Sequence, residues 1–476
     1  MKKKAFFEKL YIVVFIVMLA SLSLLMPFVK SDMNKEKRAG AKFPKLIKEK
    51  KINFDFCDEL TDYFSDNFAF RQELSTADAL IKAKVFNTSN QDRVVLGKDG
   101  WLYYSESMHD YLGEDVMSER EIYDAVKVLE LMQENCEERG VTFLFTVAPN
   151  KNSLYPENMP DNYIKTNEKT NYDMLRSGMK DKNVNFVDLH SAFLADDRVM
   201  YHKWDSHWTN EGAAFAVDLI LDGVGKEHYD YSDEPYTVQA VHRGDLYNII
   251  YPSLNDLDDN VIYEREHEYT YVNAVKSTED PIILTQNPEA TGSLVMFRDS
   301  YGNASIPYIA DEYEKGFFSK GQPADLDQIG YQNADTVIYE IVERNIPWLI
   351  EYLPYMEAPE RELPERIILE RDLPGNIREI TSDKVSINTE EKGDRLLIYG
   401  NVDETYTDDD SDIYIMIISE DAVLTFEATP ASYEKVKEHK EAEYAYGAYI
   451  NKEKLPDDYK IMVITECDGI LYGFNR

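Results

Sequence analysis

SLVMFRDSYGNASIPYIADEY, residues 293–313, decides the fold. Its first five residues are of strand length and apolar from Leu294 to Phe297, and the polar RDS that follows leads into a segment with helical character. Ser300 therefore falls at a strand-to-helix turn, with Gly302 two residues on, where close backbone approach helps. A serine at such a turn projects its hydroxyl upward, and the backbone N–H groups at the helix start can hold an oxyanion. The upstream glycine of the G-x-S-x-G pattern is missing, Arg298 standing in its place. Taken alone, a helix-starting serine is better explained as a cap.

The same strand–helix unit recurs outward from this stretch. Upstream, SEREIYDAVKVLELMQENCEERG (118–140) has Ser118 with Glu121 as a capping box, an apolar face through Ile122, Val126 and Leu129, and Gly140 as a stop. The strand VTFLFTV follows and leads to Asn150 and Lys151. Then come a helix near 171–182, the strand VNFVDL, a loop, and a helix at 210–221 that Thr209 caps. Downstream, KGFFS, ADLDQIGYQ and TVIYEIV continue the rhythm. Alternating apolar strands and amphipathic helices predict an α/β domain with a parallel sheet, whose sites lie at the carboxyl ends of its strands. Residues 223–290 are polar and Tyr-rich and read as an insertion of short strands and loops. Beyond the Pro- and Glu-rich stretch from Pro354 to Pro374, segments such as RLLIYGNV, IYIMII and YKIMVITE alternate, predicting a C-terminal β-sandwich of about 100 residues. Before the α/β part, residues 52–86 read as one or two helices, and VVLGKDGWLYY (94–104) as a hairpin.

A second polar constellation is KWDSHWTNEGA (203–213), where Asp205 and His207 stand two apart before a helix. A serine hydroxyl needs a base to take its proton, and the imidazole needs a carboxylate to fix its tautomer. Side chains two apart on an extended segment point the same way, so one loop can deliver both. The alternative is a surface Asp and a partly buried structural His between Trp204 and Trp208.

The bulk numbers narrow the classes. At 476 residues, with 43% hydrophobic and 12% aromatic residues, the chain has material for two or three cores. A net charge of -38, from 89 acids and 51 bases, argues against nucleic-acid binding. Cys57, Cys136 and Cys467 are odd in number, far apart and without zinc-site spacing. The uncharged run from Leu10 to Val29 is long enough to cross a hydrocarbon core of ~30 Å. Lys2, Lys3, Lys4 and Lys9 before it predict a cytoplasmic N-terminus with the bulk of the chain outside. A cleaved signal peptide is the alternative, with Ala39-Gly40-Ala41 as its late candidate cleavage site.

On these residues the chain resembles the SGNH-like acyltransferase family that includes the alginate O-acetylation proteins AlgJ and AlgX and the related DHHW proteins. The resemblance runs from about Tyr63 to Ile341 and rests on YFSDNFAFR (63–71), VVLGKDGWLYY, VAPNKNSLYPE (147–157), WDSHWTNEGA (204–213), GDL (244–246) and FRDSYGN (297–303) in shared order. It implies a triad of Asp205, His207 and Ser300. Ser206 replaces the middle His of the DHHW name, and its side chain is expected to point away from the site. The resemblance further implies acyl transfer, most simply of acetyl, to a cell-surface or secreted polysaccharide, with a membrane-bound O-acyltransferase as donor partner. An acetylesterase using the same triad and a non-catalytic polysaccharide-binding scaffold are the alternatives.

Other residues are weaker candidates. Asn150 and Lys151 could supply an oxyanion donor or substrate contact or form an ordinary turn; Arg298 and Asp299 could orient substrate or cap the helix. Gly302 belongs to the oxyanion turn, while Trp208 and Tyr301 could stack on sugar rings or pack. Asp408, Asp409, Asp410 and Asp412 invite a calcium reading, but no turn glycine or closing Glu follows, so a solvated hairpin tip is favoured. No cofactor or metal is expected. The expected organisation is an anchor at 1–32, a juxtamembrane helical segment at 33–92, the SGNH-like domain at 93–372 and the β domain at 373–476.

Overall fold

The computed structural model describes residues 2–30, 40–48, 50–167, 169–362, 377–380, 384–431 and 444–475. Ala39 of the candidate cleavage site and most of the Pro- and Glu-rich stretch lie outside the described residues. Helix α1 spans Lys2–Leu25, and its Glu8–Leu25 segment is long and apolar enough to cross a membrane. It stops short of Val29 because Pro27 disfavours helical geometry at the residue before it. Two helices follow, Phe56–Asn67 and Arg71–Ile81. The hairpin Val94–Leu96 with Leu102–Tyr104 turns through Asp99 and Gly100 at φ 51° and 79°, left-handed values suited to glycine and tolerated by aspartate.

The α/β domain begins with α2 (Glu119–Glu137), whose capping box of Ser118 and Glu121 is present as the sequence predicts. β1 (Thr142–Ala148) follows, then α3 (Asn171–Asp181), capped by Thr170 with Asp173, β2 (Phe186–Val187), and α4 (Asn210–Gly223), capped by Thr209. The inserted region supplies a hairpin, Tyr236–His242 with Asp258–Tyr263, and a short helix, Asp245–Ile250, between its strands. It also supplies β3 (Thr270–Tyr271) and β4 (Ile282–Gln286). β5 (Ser293–Phe297), α5 (Gly302–Glu312), β6 (Lys315–Ser319) and β7 (Thr336–Val342) complete the sheet, in the order β2-β1-β7-β5-β6-β4-β3.

Five strands are parallel, as expected, but β4 and β3 add an antiparallel edge. The link from Gln286 to Ser293 is too short for the crossover of a dozen or more residues that parallel pairing needs, so β4 must run opposite to β5. All five residues of β5 are buried, which is why Leu294–Phe297 read as an uninterrupted apolar run. α2 and α3 cover one face around Phe145, Val295 and Val337; α4 and α5 cover the other around Leu144, Met296 and Ile338.

The C-terminal region has a five-stranded and a four-stranded sheet with Ile398, Ile415, Phe426, Tyr446 and Val463 packed together in one core. All pairs are antiparallel except that of Ile377–Ile380 with Ile470–Asn475. The acidic loop is a solvated tip only at Asp409 and Asp410, which are exposed; Asp408 and Asp412 are half-buried. Its carbonyls at Asp408 and Ser411 accept from the buried Arg120 guanidinium at 3.1 and 2.8 Å. Asp412 meets Lys127 at 3.0 Å and the Tyr123 hydroxyl at 2.8 Å. An arginine of α2 thus occupies the centre of the carbonyl cluster and ties the β-sheets to the α/β domain.

Candidate active site

The Ser300 turn is fixed by carboxylates beneath it. Asp299 Oδ1 accepts the Tyr301 amide at 2.8 Å, and its Oδ2 accepts the Val342 amide at 2.7 Å and Asn345 Nδ2 at 2.9 Å, tying the turn to the end of β7. Buried Glu340 accepts the amides of Asp299 and Gly302. Burial and the Asp299 charge push its carboxyl well above the usual range. Among the described residues the Ser300 amide has no intramolecular partner, so it is the N–H of this turn available to an oxyanion. Gly302 is needed for close approach: a Cβ would meet Arg298 Cβ and Cδ at 2.8 Å. Its own N–H is spent on Glu340, so its contribution is packing and not the oxyanion donation considered for it.

The Asp205–His207 loop is a tight bend and not an extended segment. It closes with a bridge between Tyr201 and Trp208. Asp205 and His207 face each other because Asp205 Oδ1 accepts both the His207 amide, at 3.0 Å, and ring Nδ1–H, at 2.6 Å. A carboxylate only accepts, so the proton sits on Nδ1 and Nε2 presents a lone pair. Ser300 Oγ lies 2.9 Å from that Nε2. Three residues separated by up to 95 positions thus form one hydrogen-bonded chain.

Asp205 is 4% exposed, and its other oxygen is also occupied. Oδ2 accepts His242 Nε2–H at 2.9 Å and the Asp245 amide at 2.8 Å. Burial alone would raise this carboxyl, but His207 and His242 hold it well below the usual range. His242 stacks on buried His202, with ring centres 3.7 Å apart, and burial pushes the His202 pKa down to about 3. Ser206 does not point away: its hydroxyl lies 3.0 Å from Asp245 Oδ2 and 3.2 Å from His207 Nδ1. Asp205, His207 and Asp245 have ligand atoms within 4.8 Å of one another, as a metal site would. The four hydrogen bonds already on Asp205 would have to give way to an ion.

Several weaker candidates are structural. Lys151 Nζ is buried and donates to the carbonyls of Leu102, Lys203 and Asp205 at 2.8–2.9 Å, pinning the Asp205–His207 loop instead of reaching outward. Burial draws its pKa down to about 7 against the pull of Asp205, Asp245 and Asp258. Asn150 is fully buried, its Nδ2 donating to Asp110 at 3.1 Å and its amide to Glu343 at 2.8 Å. Arg298 is 1% exposed and donates to the carbonyls of Thr278 and Asp280, so it fastens the inserted region. Trp208 and Tyr301 are each 1% exposed. The Trp208 indole donates to the Tyr301 carbonyl and the Tyr301 hydroxyl to the Ser206 carbonyl, so neither offers a face to a sugar.

Sequence reasoning missed His242, His202 and Asp245, although Asp245 lies within the GDL landmark. It also missed Arg344, whose guanidinium stands 5.8 Å from the Tyr301 ring centre and 3.4 Å from Asn150 Oδ1. A cavity of about 770 Å³ is walled by Trp101, Trp204, Tyr247 and Tyr251. Neither Ser300 nor His207 lines it.

A serine at a strand-to-helix turn thus faces a histidine and an aspartate from one loop on the largely parallel sheet of an SGNH-like α/β domain. Residues 94–280 match the family described as "SGNH hydrolase-like domain, acetyltransferase AlgX", a span that holds Asp205 and His207 and ends before Ser300. The chain is similar to the "Probable alginate O-acetylase AlgJ" of Pseudomonas syringae pv. tomato, 24% identical over 245 residues, covering 50% of this chain and 58% of that protein. It is 22% identical over 242 residues to the protein of the same description from Pseudomonas fluorescens, covering 49% and 59%. The chain thus spans a little over half the length of these curated relatives. Among solved structures, a DHHW family protein from Eubacterium siraeum aligns at 19% identity and TM-score 0.40 over 53% of this chain and 94% of its own. The O-acetyltransferase domain of Pseudomonas putida AlgJ aligns at 16% and 0.37, over 53% and 92%.

Proposed function

We propose that the protein transfers an acetyl group to a hydroxyl of a cell-surface or secreted polysaccharide through an acyl-enzyme on Ser300. The observation that carries this reading is the chain Ser300 Oγ, His207 Nε2 at 2.9 Å, and Asp205 Oδ1 at 2.6 Å from Nδ1. In the first half, Ser300 Oγ attacks the donor carbonyl carbon and its proton passes to His207 Nε2, with the imidazolium held by Asp205. The oxyanion that forms faces the Ser300 amide. The donor's leaving group departs with the proton from Nε2, and Ser300 keeps the acetyl as an ester. In the second half a sugar hydroxyl gives its proton to Nε2 and attacks the ester carbonyl. The bond to Oγ then breaks and Ser300 takes the proton back.

The names of the curated relatives support acetyl as the group and a polysaccharide as the acceptor. With α1 as a membrane anchor and the rest outside the cytoplasm, the acyl donor must cross the membrane. A multi-pass membrane-bound O-acyltransferase is the partner with that chemistry. The test uses purified protein, a chromogenic acetyl ester and an oligosaccharide. Ester cleavage by wild type, its loss in Ser300→Ala, and acetylated oligosaccharide by mass spectrometry are expected. Cleavage by Ser300→Ala at the wild-type rate would end the nucleophile assignment; ester cleavage without acetylated sugar would make the protein an esterase.

A further inference from the structure

The chain just after α1 departs in charge from the rest of the protein. Residues 30–51 carry nine Lys and Arg against three Asp and Glu, while the whole sequence has 51 against 89. The described part of this stretch forms a small hairpin, Ile47–Lys48 paired with Lys51–Ile52. Its lysines are interleaved with apolar side chains that nothing covers: Leu46 and Ile47 are each 65% exposed, Ile52 69% and Phe54 91%. Lys45, Lys50 and Lys51 are exposed beside them, and Lys48 pairs with Glu59.

The hairpin belongs to a body that touches the apolar helix. The Ala69 amide donates to the Leu22 carbonyl at 3.2 Å, inside the last turn of α1. Phe70 and Leu74, next along, are 41% and 47% exposed. Exposed aromatic and aliphatic groups mixed with lysines, at the end of a membrane-length helix, have the composition of a surface that lies in the headgroup layer. Lysine stems can rest on acyl chains while their ammonium groups reach phosphate. A protein partner would account for the apolar groups. The excess of lysine in so acidic a chain favours anionic lipid.

We propose that residues 40–54 form a second membrane contact, seated on an anionic phospholipid surface beside α1. This holds the acidic α/β domain in a fixed attitude to the bilayer while the repelled remainder faces away. The inference rests on α1 entering the bilayer and is independent of the Ser300 chemistry.

The test is amide hydrogen exchange of the full chain in nanodiscs of phosphatidylcholine alone and of an equimolar mixture with phosphatidylglycerol. Exchange across residues 40–54 should be slower in the mixed discs. Each lysine near an anionic surface is worth about fivefold in binding, so Lys45→Glu, Lys50→Glu and Lys51→Glu together remove about a hundredfold and should abolish the difference. Phe54→Ser should weaken the protection without touching charge. Protection of Thr142–Ala148 reports that each variant is folded. Exchange across 40–54 that is the same in both lipids would overturn the proposal, as would protection that survives the lysine substitutions. A chain that does not enter the discs would refute the anchor itself, a different failure.

Discussion

His242→Ala tests how the Asp205 carboxylate is held. Asp205 is almost fully buried and accepts four hydrogen bonds, two on each oxygen. The substitution removes the side-chain donor to Oδ2 and leaves the Asp245 amide as its partner at 2.8 Å. A hydrogen bond to a buried charged group is worth about 1.5–3 kcal/mol, so stability should fall by about 2 kcal/mol. Loosening Asp205 also loosens the His207 ring it orients. Loss of the acid outright costs about 10⁴ in kcat. Because Oδ1 still meets Nδ1, His242→Ala should cost less, roughly tenfold, with KM unchanged. His242→Gln keeps an N–H donor at similar reach and should recover most of both losses. The assays are urea unfolding and steady-state cleavage of a chromogenic acetyl ester. A kcat within twofold of wild type in the alanine variant, or a glutamine variant no better than alanine, would show that His242 does not hold Asp205 in place.

Other expectations follow from the same geometry. Burial and Asp110 push the Glu343 carboxyl up to about 8, so the stability it contributes is present below its ordinary value of 4.5 and is lost as pH rises through 8. Glu343→Gln should flatten the pH dependence of the urea midpoint over that window and leave the variant the more stable at pH above about 8; an unchanged slope would contradict this. Gly302→Ala should lower kcat and cost about 1–3 kcal/mol, because its Cβ would meet Arg298 at 2.8 Å, and thermal melting with ester kinetics checks both. Calcium or a chelator should leave the melting temperature unchanged, while Arg120→Met should lower it, since a guanidinium fills the acidic loop.

What was legible in the sequence was local. β5 announces itself because burial on both faces makes Leu294–Phe297 continuously apolar, and the caps at Ser118 and Thr209 act within three residues. Asp205 and His207 were legible because one loop carries both. The role of His242 was not, since it sits in the polar inserted region and meets Asp205 across 37 residues without any periodic signal. Trp208 and Tyr301 look like sugar platforms in sequence. Their polar atoms find backbone carbonyls inside the protein, which only the fold reveals. The antiparallel edge likewise depends on where β4 joins the sheet. Ser206 faces inward because the loop bends too tightly for the alternation of an extended strand.

The most direct measurement is the covalent intermediate. The protein is exposed to an activated acetyl ester, quenched in acid, digested and read by mass spectrometry. One acetyl group is expected on the peptide containing Ser300, absent in Ser300→Ala and discharged by an oligosaccharide acceptor. Acetyl found only on another residue, or turnover without any acetyl on Ser300, would contradict the acyl-enzyme assignment.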